Sequence, residues 1–596
     1  MRKHIILAIV AVATLLCSCS DLLDKQPKST LSPDSFFKNE TELKAYTNKF
    51  YTLFPGESLY QEDIDNFTCE QLPEELRGKR VIPGSGGGWS WGTLRDINTL
   101  LEYSSQCEDK AVRTKYQALA RFFRAYFYFE KVKRFGDVPW YDHQLGSADA
   151  DLYKARDSRE LIMQKMIEDI DFAIANLPST KSVYTVTKWT ALALKSRFCL
   201  FEGSFRKYHA GDVFLSTLPA DAKDWKWYLA QAADASKTFI EASGYSIYNA
   251  DGYSKSYLNL FSETDANPTE VILARQYSLT LGVKHNGTFY FLGNYGQPGM
   301  TLKLFASYLM TDGSRFTDKA GWETMQFAQE CQNRDPRLSQ TIRTPGYKRI
   351  GGTVEEAPNF GVTVTGYQNC KFMQGADLGV DAYGLSYNDL IIFRAGEVYL
   401  NYAEAQAELG TITQADIDMS IKPLRDRVGM PNLNLEAANA KPDPFLEAAA
   451  TGYPNVDKGA NKGVILEIRR ERSIELMEEG FRYYDMMRWK EGKAFTYDYY
   501  GMYFPGLGEY DLDGNGTLDV CLYQGDKPAS KARNILKVDQ DIFLENGTSG
   551  RVMPHKGDPG VWNEDRDYLY PIPTDERSLT NGKLTQNPGW DDGLKF

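Results

Sequence analysis

Apolar residues recur at spacings of three and four over most of the first half of the chain, which is the signature of helices with one buried face. Phe36, Phe37, Leu43, Ala45, Tyr46, Phe50 and Leu53 fall near this spacing from Ser35 onward. An irregular stretch, Pro55 to Gly88, ends in Ser85-Gly86-Gly87-Gly88. Trp91, Leu94, Ile97, Leu100 and Leu101 then mark one side of a helix over Trp91 to Cys107. The next helix, Val112 to Phe135, carries Leu119, Phe122, Phe123, Tyr126, Phe127 and Val132, a stripe wide enough to require burial. Gly136-Asp137-Val138-Pro139 ends it. Ser158 to Asn176, Thr187 to Tyr208 and Trp225 to Ser243 repeat the pattern. From Gly244 to about Ser386 the periodicity loosens, and only Thr301 to Met310 and Gly321 to Cys331 keep helical spacing. Loops and small strands are expected there, and loops of that length tend to carry function. Helices return over Asp389 to Leu409, Thr413 to Val428, Gly463 to Gly480 and Phe481 to Lys490, whereas Thr496 to Phe596 reads as loop and strand.

Successive helices with small and aromatic residues at their contacts look like tetratricopeptide units, irregularly spaced and so degenerate. The pattern predicts a mostly α fold: helix pairs forming a curved scaffold, with a large loop-rich region containing short strands.

The first residues follow a different logic. Arg2 and Lys3 form a basic head before the apolar run Ile5 to Leu16. That run is too short to cross the ~30 Å core of a bilayer as a helix, and it reads as an export signal. It ends in Leu16-Cys17-Ser18-Cys19. Ser18 directly before Cys19, with Leu16 three positions before it, suits acyl attachment to Cys19, whereas Cys17 has the bulky Leu16 beside it. The mature chain is therefore expected to begin at a lipidated, palmitate-bearing Cys19; the other reading is a plain cleaved signal. Ser20, Asp21 and Asp24 resemble the acidic tag that sends lipoproteins of the Bacteroidetes to the outer face of the outer membrane.

The length of 596 residues exceeds what one small core needs. The net charge of −12 becomes −14 when Arg2 and Lys3 leave with the signal, and an acidic chain repels phosphate backbones, so nucleic acid is set aside as a partner. The 37 Tyr, 31 Phe and 10 Trp must serve helix packing, a binding surface for flat amphipathic ligands, or both. Beyond Cys17 and Cys19, six cysteines are scattered without close spacing, so neither a disulfide framework nor a zinc site is implied.

Arg394 to Gly410 reads RAGEVYLNYAEAQAELG and Glu471 to Trp489 reads ERSIELMEEGFRYYDMMRW. With RDPRL at Arg334, YLYPIPTDERSLTNGKLTQNPGW at Tyr568, WGTLRDINTLLE at Trp91 and RFFRAYFYFEKVKRFGDVPW at Arg121, these motifs resemble the SusD/RagB family of surface lipoproteins. The resemblance covers nearly all of the mature chain. It implies a signal at 1–18, an amino-terminal helical region at 19–243 and a carboxy-terminal region at 244–596 with ligand-facing loops. It also implies a cell-surface, lipid-anchored protein of the outer membrane. Such a protein binds oligosaccharides, or in some members peptides, and delivers them to a SusC-like TonB-dependent barrel for nutrient uptake. No cofactor is required by that role. Read as residues alone, Arg394 with Glu397, Arg469 to Arg472 with Glu475, and Arg482 with Asp485 are charges that fix how helices dock, each worth ~0–1 kcal/mol if exposed. Trp489, Tyr570 and Trp590 read as core.

Sugar binding needs an aromatic face for the CH-rich side of the ring and amide, carboxylate or guanidinium groups for its hydroxyls. Arg77, Arg80 and Trp89 beside the glycine run offer this, Trp89 being read as exposed and Trp91 as buried. Asn286, Tyr290 and Tyr295 offer it on a loop that also contains Asn294. Packing is the other role open to both groups. Asp511, Asp513, Asn515, Thr517 and Asp519, with Gly516 at the sixth position, place oxygens as a calcium-wrapping loop does, although Leu522 stands where an EF-hand has its final Glu. The same residues also suit a strand-turn-strand hairpin. No GxSxG, HExxH or phosphate loop is present. A surface glycosidase using two of the 80 acidic residues stays as the alternative from another class, but none is marked out, and the chain is expected not to be an enzyme.

Overall fold

The periodic stripes of the first half fold as α1 (Glu40–Thr47), α2 (Gly92–Tyr103), α3 (Lys110–Phe135), α4 (Arg159–Asn176), α5 (Lys188–Tyr208) and α6 (Trp225–Ala242). The computed structural model describes residues 36–293 and 295–596, so Cys19 and Asn294 lie outside the described residues. Local chemistry sets the boundaries. Asp109 accepts the amides of Ala111 and Val112 at the start of α3, and Ser158 and Asp224 do the same for α4 and α6. The α3 helix stops at Gly136, whose φ of 71° a side chain would resist. Helices α3 with α4, and α5 with α6, pack as neighbours in the helix-pair manner expected. Gly203 on α5 allows the closest approach: a Cβ there would stand 2.7 Å from Leu229 of α6.

The second half supplies α7 (Ala395–Leu409), α8 (Gln414–Asp426), α9 (Lys462–Glu475) and α10 (Arg482–Arg488). Helix α7 lies against α5, α6 and α9, so the helical wall draws on both halves of the sequence. One apolar core runs through this wall and takes in Trp489, Tyr570 and Leu584. Another underlies the loop-rich region, around Tyr257, Phe305, Tyr367 and Phe372. Strands are short. Val271–Arg275 (β1) pairs antiparallel with Leu390–Arg394 (β2), and Gly508–Tyr510 (β3), Val520–Tyr523 (β4) and Asn534–Lys537 (β5) form a small mixed sheet. All six described cysteines are free thiols. No helix among the described residues is long and apolar enough to cross a membrane.

The charges read as pairs on helix faces turn out to be buried and shared between segments. Glu475 of α9 accepts from Arg337 at 3.1 Å, Arg394 at 2.8 Å and Arg427 at 2.5 Å. Glu479 accepts from Arg394 at 2.6 Å and from Lys371 at 2.8 Å, Glu270 accepts from Arg394 at 2.8 Å, and Glu471 accepts from Arg425 at 2.8 Å. Arg394 therefore pairs with Glu475, Glu479 and Glu270, while Glu397 pairs with Arg197. Arg482 pairs with Asp65, and Asp485 with Arg472 and Arg488. This network ties α9 to the RDPRL motif through Arg337, to the residue before β1 and to β2 through Glu270 and Arg394, and to the end of α8 through Arg425 and Arg427. Removing one member of such a buried network costs far more than breaking one of the exposed pairs the sequence suggested.

Candidate functional site

The glycine run acts as a turn rather than an open approach. Gly86, Gly87 and Gly88 have φ of 74°, 56° and 89°, conformations costly for other residues. The Gly87 carbonyl accepts from Arg134 Nε at 2.9 Å, and the Gly88 carbonyl accepts from Lys131 Nζ, both donors coming from α3. The turn drives Trp89 inward against Phe135, with ring centres 4.9 Å apart, leaving Trp89 5% exposed. Trp91 stands half-buried behind it. Trp89, expected to be exposed, is core, and Trp91, expected to be buried, is half-buried; both line a cavity of about 430 Å³. Arg80 is also interior. Its guanidinium lies 4.3 Å over the Tyr570 ring and donates to the Asp567 carbonyl at 3.2 Å and the Tyr483 hydroxyl at 3.1 Å. Arg77 is exposed, and its backbone pairs with Val561. Arg77, Arg80 and Trp89 do not converge on one surface: Trp89 lines that cavity, and Arg77 and Arg80 do not.

The stretch read as a loop around Asn286 contains a short helix, Gly287–Leu292, which turns Tyr290 and Phe291 inward. Tyr290 is 4% exposed and donates its hydroxyl to Asp63 Oδ1 at 3.0 Å, while the Cys69 thiol donates to the same oxygen at 2.8 Å. Burial raises the Asp63 carboxyl above its ordinary range. Tyr290 is therefore a support and not a ligand contact.

The same helix holds up what does face solvent. Tyr295 is 65% exposed and contacts Tyr290. Tyr383 is 74% exposed, its ring edge-on to Phe289 at 5.7 Å. Asn286 fixes the Tyr383 turn, since its Oδ1 accepts the Gly384 amide at 2.6 Å. Two open phenol rings thus flank one helix, with a half-buried amide beside them. Tyr383 was missed in the sequence, although the Asp381-Ala382-Tyr383-Gly384 turn carries the same aromatic-beside-glycine signal as the Tyr295 loop.

At Asp511 the hairpin reading of the sequence holds. Strands β3 and β4 pair on either side, so the segment is a hairpin. Its turn also gathers Asp511, Asp513 and Asp519 so that one carboxylate oxygen of each lies within 4.8 Å of the others. Asp511 accepts the amides of Gly514 at 2.8 Å and Gly516 at 2.7 Å, and Asp519 accepts the Leu512 amide at 2.9 Å. Asn515 is spent within the turn: its Oδ1 accepts the Thr517 amide at 2.8 Å and its Nδ2 donates to Asp513 at 2.9 Å. Burial, with the neighbouring carboxylates adding to it, raises Asp513 and Asp519.

Known proteins share this architecture. The profile of the SusD family matches residues 244–590, and one described as starch-binding associating with outer membrane matches 91–200. A SusD-like protein of Formosa agariphila is 23% identical over 512 residues, covering 80% of this chain and 88% of its own. A SusD-like carbohydrate-binding protein of Bacteroides fragilis superposes with a TM-score of 0.66 at 19% identity, covering 91% of this chain and 99% of its own. A laminarin-binding SusD-like protein superposes with a TM-score of 0.52 at 18% identity, over 93% of this chain and all of its own. A family match over more than half the length, on a wall of tetratricopeptide-like helix pairs, makes this chain a member of the SusD/RagB family.

Proposed function

We propose that this protein is a non-catalytic surface lipoprotein, anchored through an acyl group on Cys19, that captures oligosaccharides outside the outer membrane and hands them unchanged to a SusC-like TonB-dependent barrel. The observation that carries the glycan reading is the pair of open rings, Tyr295 and Tyr383, held on a braced helix beside the Asn286 amide. Such rings suit the CH face of a sugar, and the phenol and amide groups suit its hydroxyls. The carbohydrate-binding and laminarin-binding relatives support the same class of ligand. Anchoring and delivery rest on the leader sequence and the family's role.

The purified protein is expected to be retarded in native gels containing at least one soluble polysaccharide and to release no reducing ends from it. Steady release would make it an enzyme, and retention of peptides with no glycan would make peptides the cargo.

The reading includes a calcium ion on Asp511, Asp513 and Asp519, where it would neutralise three crowded carboxylates and stiffen the turn. EDTA is then expected to lower the thermal midpoint and added calcium to restore it, as linkage requires of an ion bound only by the folded state. A midpoint indifferent to both excludes the ion.

A further inference from the structure

The cavity beside Trp91 is lined by neither Tyr295 nor Tyr383 and has the composition of a binding site. Its volume of about 430 Å³ falls within the ~300–1,000 Å³ typical of small-molecule clefts. Trp91 and Tyr141 meet at right angles, ring centres 5.5 Å apart and planes at 84°, and form two walls of a corner. Tyr153, 45% exposed, and Leu579, 65% exposed, lie on the same lining. Of the polar groups on the lining, Asn98 is held by the Tyr141 and His143 carbonyls and by Arg124, and His143 pairs with Asp142 and Asp149, while others are unspent. Among the described residues, the Trp91 indole N–H, the Tyr141 and Tyr153 hydroxyls, the Arg95 guanidinium and the Glu576 carboxylate have no hydrogen-bond or ion-pair partner. The buried arginines and glutamates of the α9 network, by contrast, are paired with one another. The Tyr141 hydroxyl is pushed up to about 12 by burial, with Asp151, Asp157 and Glu576 adding to it, so it stays a neutral donor.

Unpaired donors and acceptors lining an aromatic corner suit a ligand that brings its own hydroxyls and an apolar face. We infer that this open cleft is a second carbohydrate subsite, in which a sugar ring stacks on Trp91 or Tyr141 and its hydroxyls are met by Arg95 and Glu576. The inference rests on the glycan reading above and adds a place that reading does not need. Arg95 and Glu576 are the residues to change, because neither supports the fold through a bond of its own. The double substitution R95A/E576Q also removes one positive and one negative charge together, which leaves the net charge and its long-range field unchanged.

The test is calorimetric titration of the purified protein with laminarihexaose, maltohexaose and xylohexaose in turn. The expected result is binding of at least one hexaose by the native protein, a loss of affinity on the order of tenfold in R95A/E576Q, in keeping with lost hydrogen bonds to charged groups, and an unchanged melting temperature. Leu579→Trp, which narrows the mouth from an exposed position, is expected to weaken the same hexaose by a similar factor. If both variants bind as tightly as the native protein, the cavity is no subsite and the glycan reading stands on the tyrosines alone. If the native protein binds none of the three yet is retarded by a polysaccharide in native gels, the subsite falls and the glycan reading stands; if it is retarded by none, both fall.

Discussion

Replacing Glu475 by alanine is expected to destabilise the protein by about 3–5 kcal/mol, the range for removing one member of a buried charge network. The carboxylate is fully buried and accepts from Arg337, Arg394 and Arg427. Its removal leaves three guanidiniums facing one another in the interior with too little negative charge between them. A matched control is Asp426→Ala, which breaks an exposed pair with Lys422 and is expected to cost about 0.5 kcal/mol or less. Denaturant unfolding of the two variants decides it. Equal losses would show that the network does not hold the two halves of the wall together.

The same carboxylate makes the effect depend on pH. Burial alone would raise its pKa, but Arg427, Arg394 and Arg337 together outweigh burial and hold it far below the usual carboxylate range. A carboxyl lowered in the folded state binds fewer protons there than in the unfolded chain, so stability rises with pH across the interval between the two values. Glu475 therefore contributes stability that is present above the unfolded pKa, near 4.5, and is lost as pH falls toward the folded value. The Glu475→Ala protein is expected to show a flatter acid limb in a plot of melting temperature against pH. A limb as steep as that of the native protein would assign the acid loss elsewhere, for example to Glu471, which Arg337 and Arg425 hold low against burial in the same way.

What was legible in the sequence follows from how local each signal is. Helices α3 and α5 are written in their own residues: an apolar stripe at helical spacing and a polar cap before it, with Gly136 closing α3. Strand β1 is different, because its partner β2 comes from far along the chain and no local pattern records the pairing. The glutamates Glu471, Glu475 and Glu479, spaced at four, look like a solvated helix face. Their burial depends on cations from Arg337, Lys371, Arg394 and Arg427, which only the fold brings together. Trp89 turns inward because three left-handed glycines reset the direction of the chain just before it. Tyr290 and Tyr295 looked equivalent as loop aromatics, and they differ because a short helix places one against Asp63 and leaves the other outside.

That distinction gives the second large effect. Tyr295→Ala with Tyr383→Ala is expected to weaken glycan binding on the order of a hundredfold while leaving the melting temperature unchanged. The size comes from stacking and burial of two rings at ~1–1.5 kcal/mol each, close to tenfold per ring. The unchanged stability follows from their position. Both side chains are largely exposed, and neither hydroxyl has a hydrogen-bond partner among the described residues. Tyr290→Phe supplies the converse, since it removes only the hydroxyl that Asp63 accepts and leaves the ring in its core. It is expected to lower stability by about 1 kcal/mol, the usual worth of one buried hydrogen bond, and to leave affinity where it was. The two outcomes separate a ring that meets ligand from a ring that holds the platform. Native affinity in the Tyr295/Tyr383 variant would move the binding face away from this helix and leave the Trp91 cavity as the place to look.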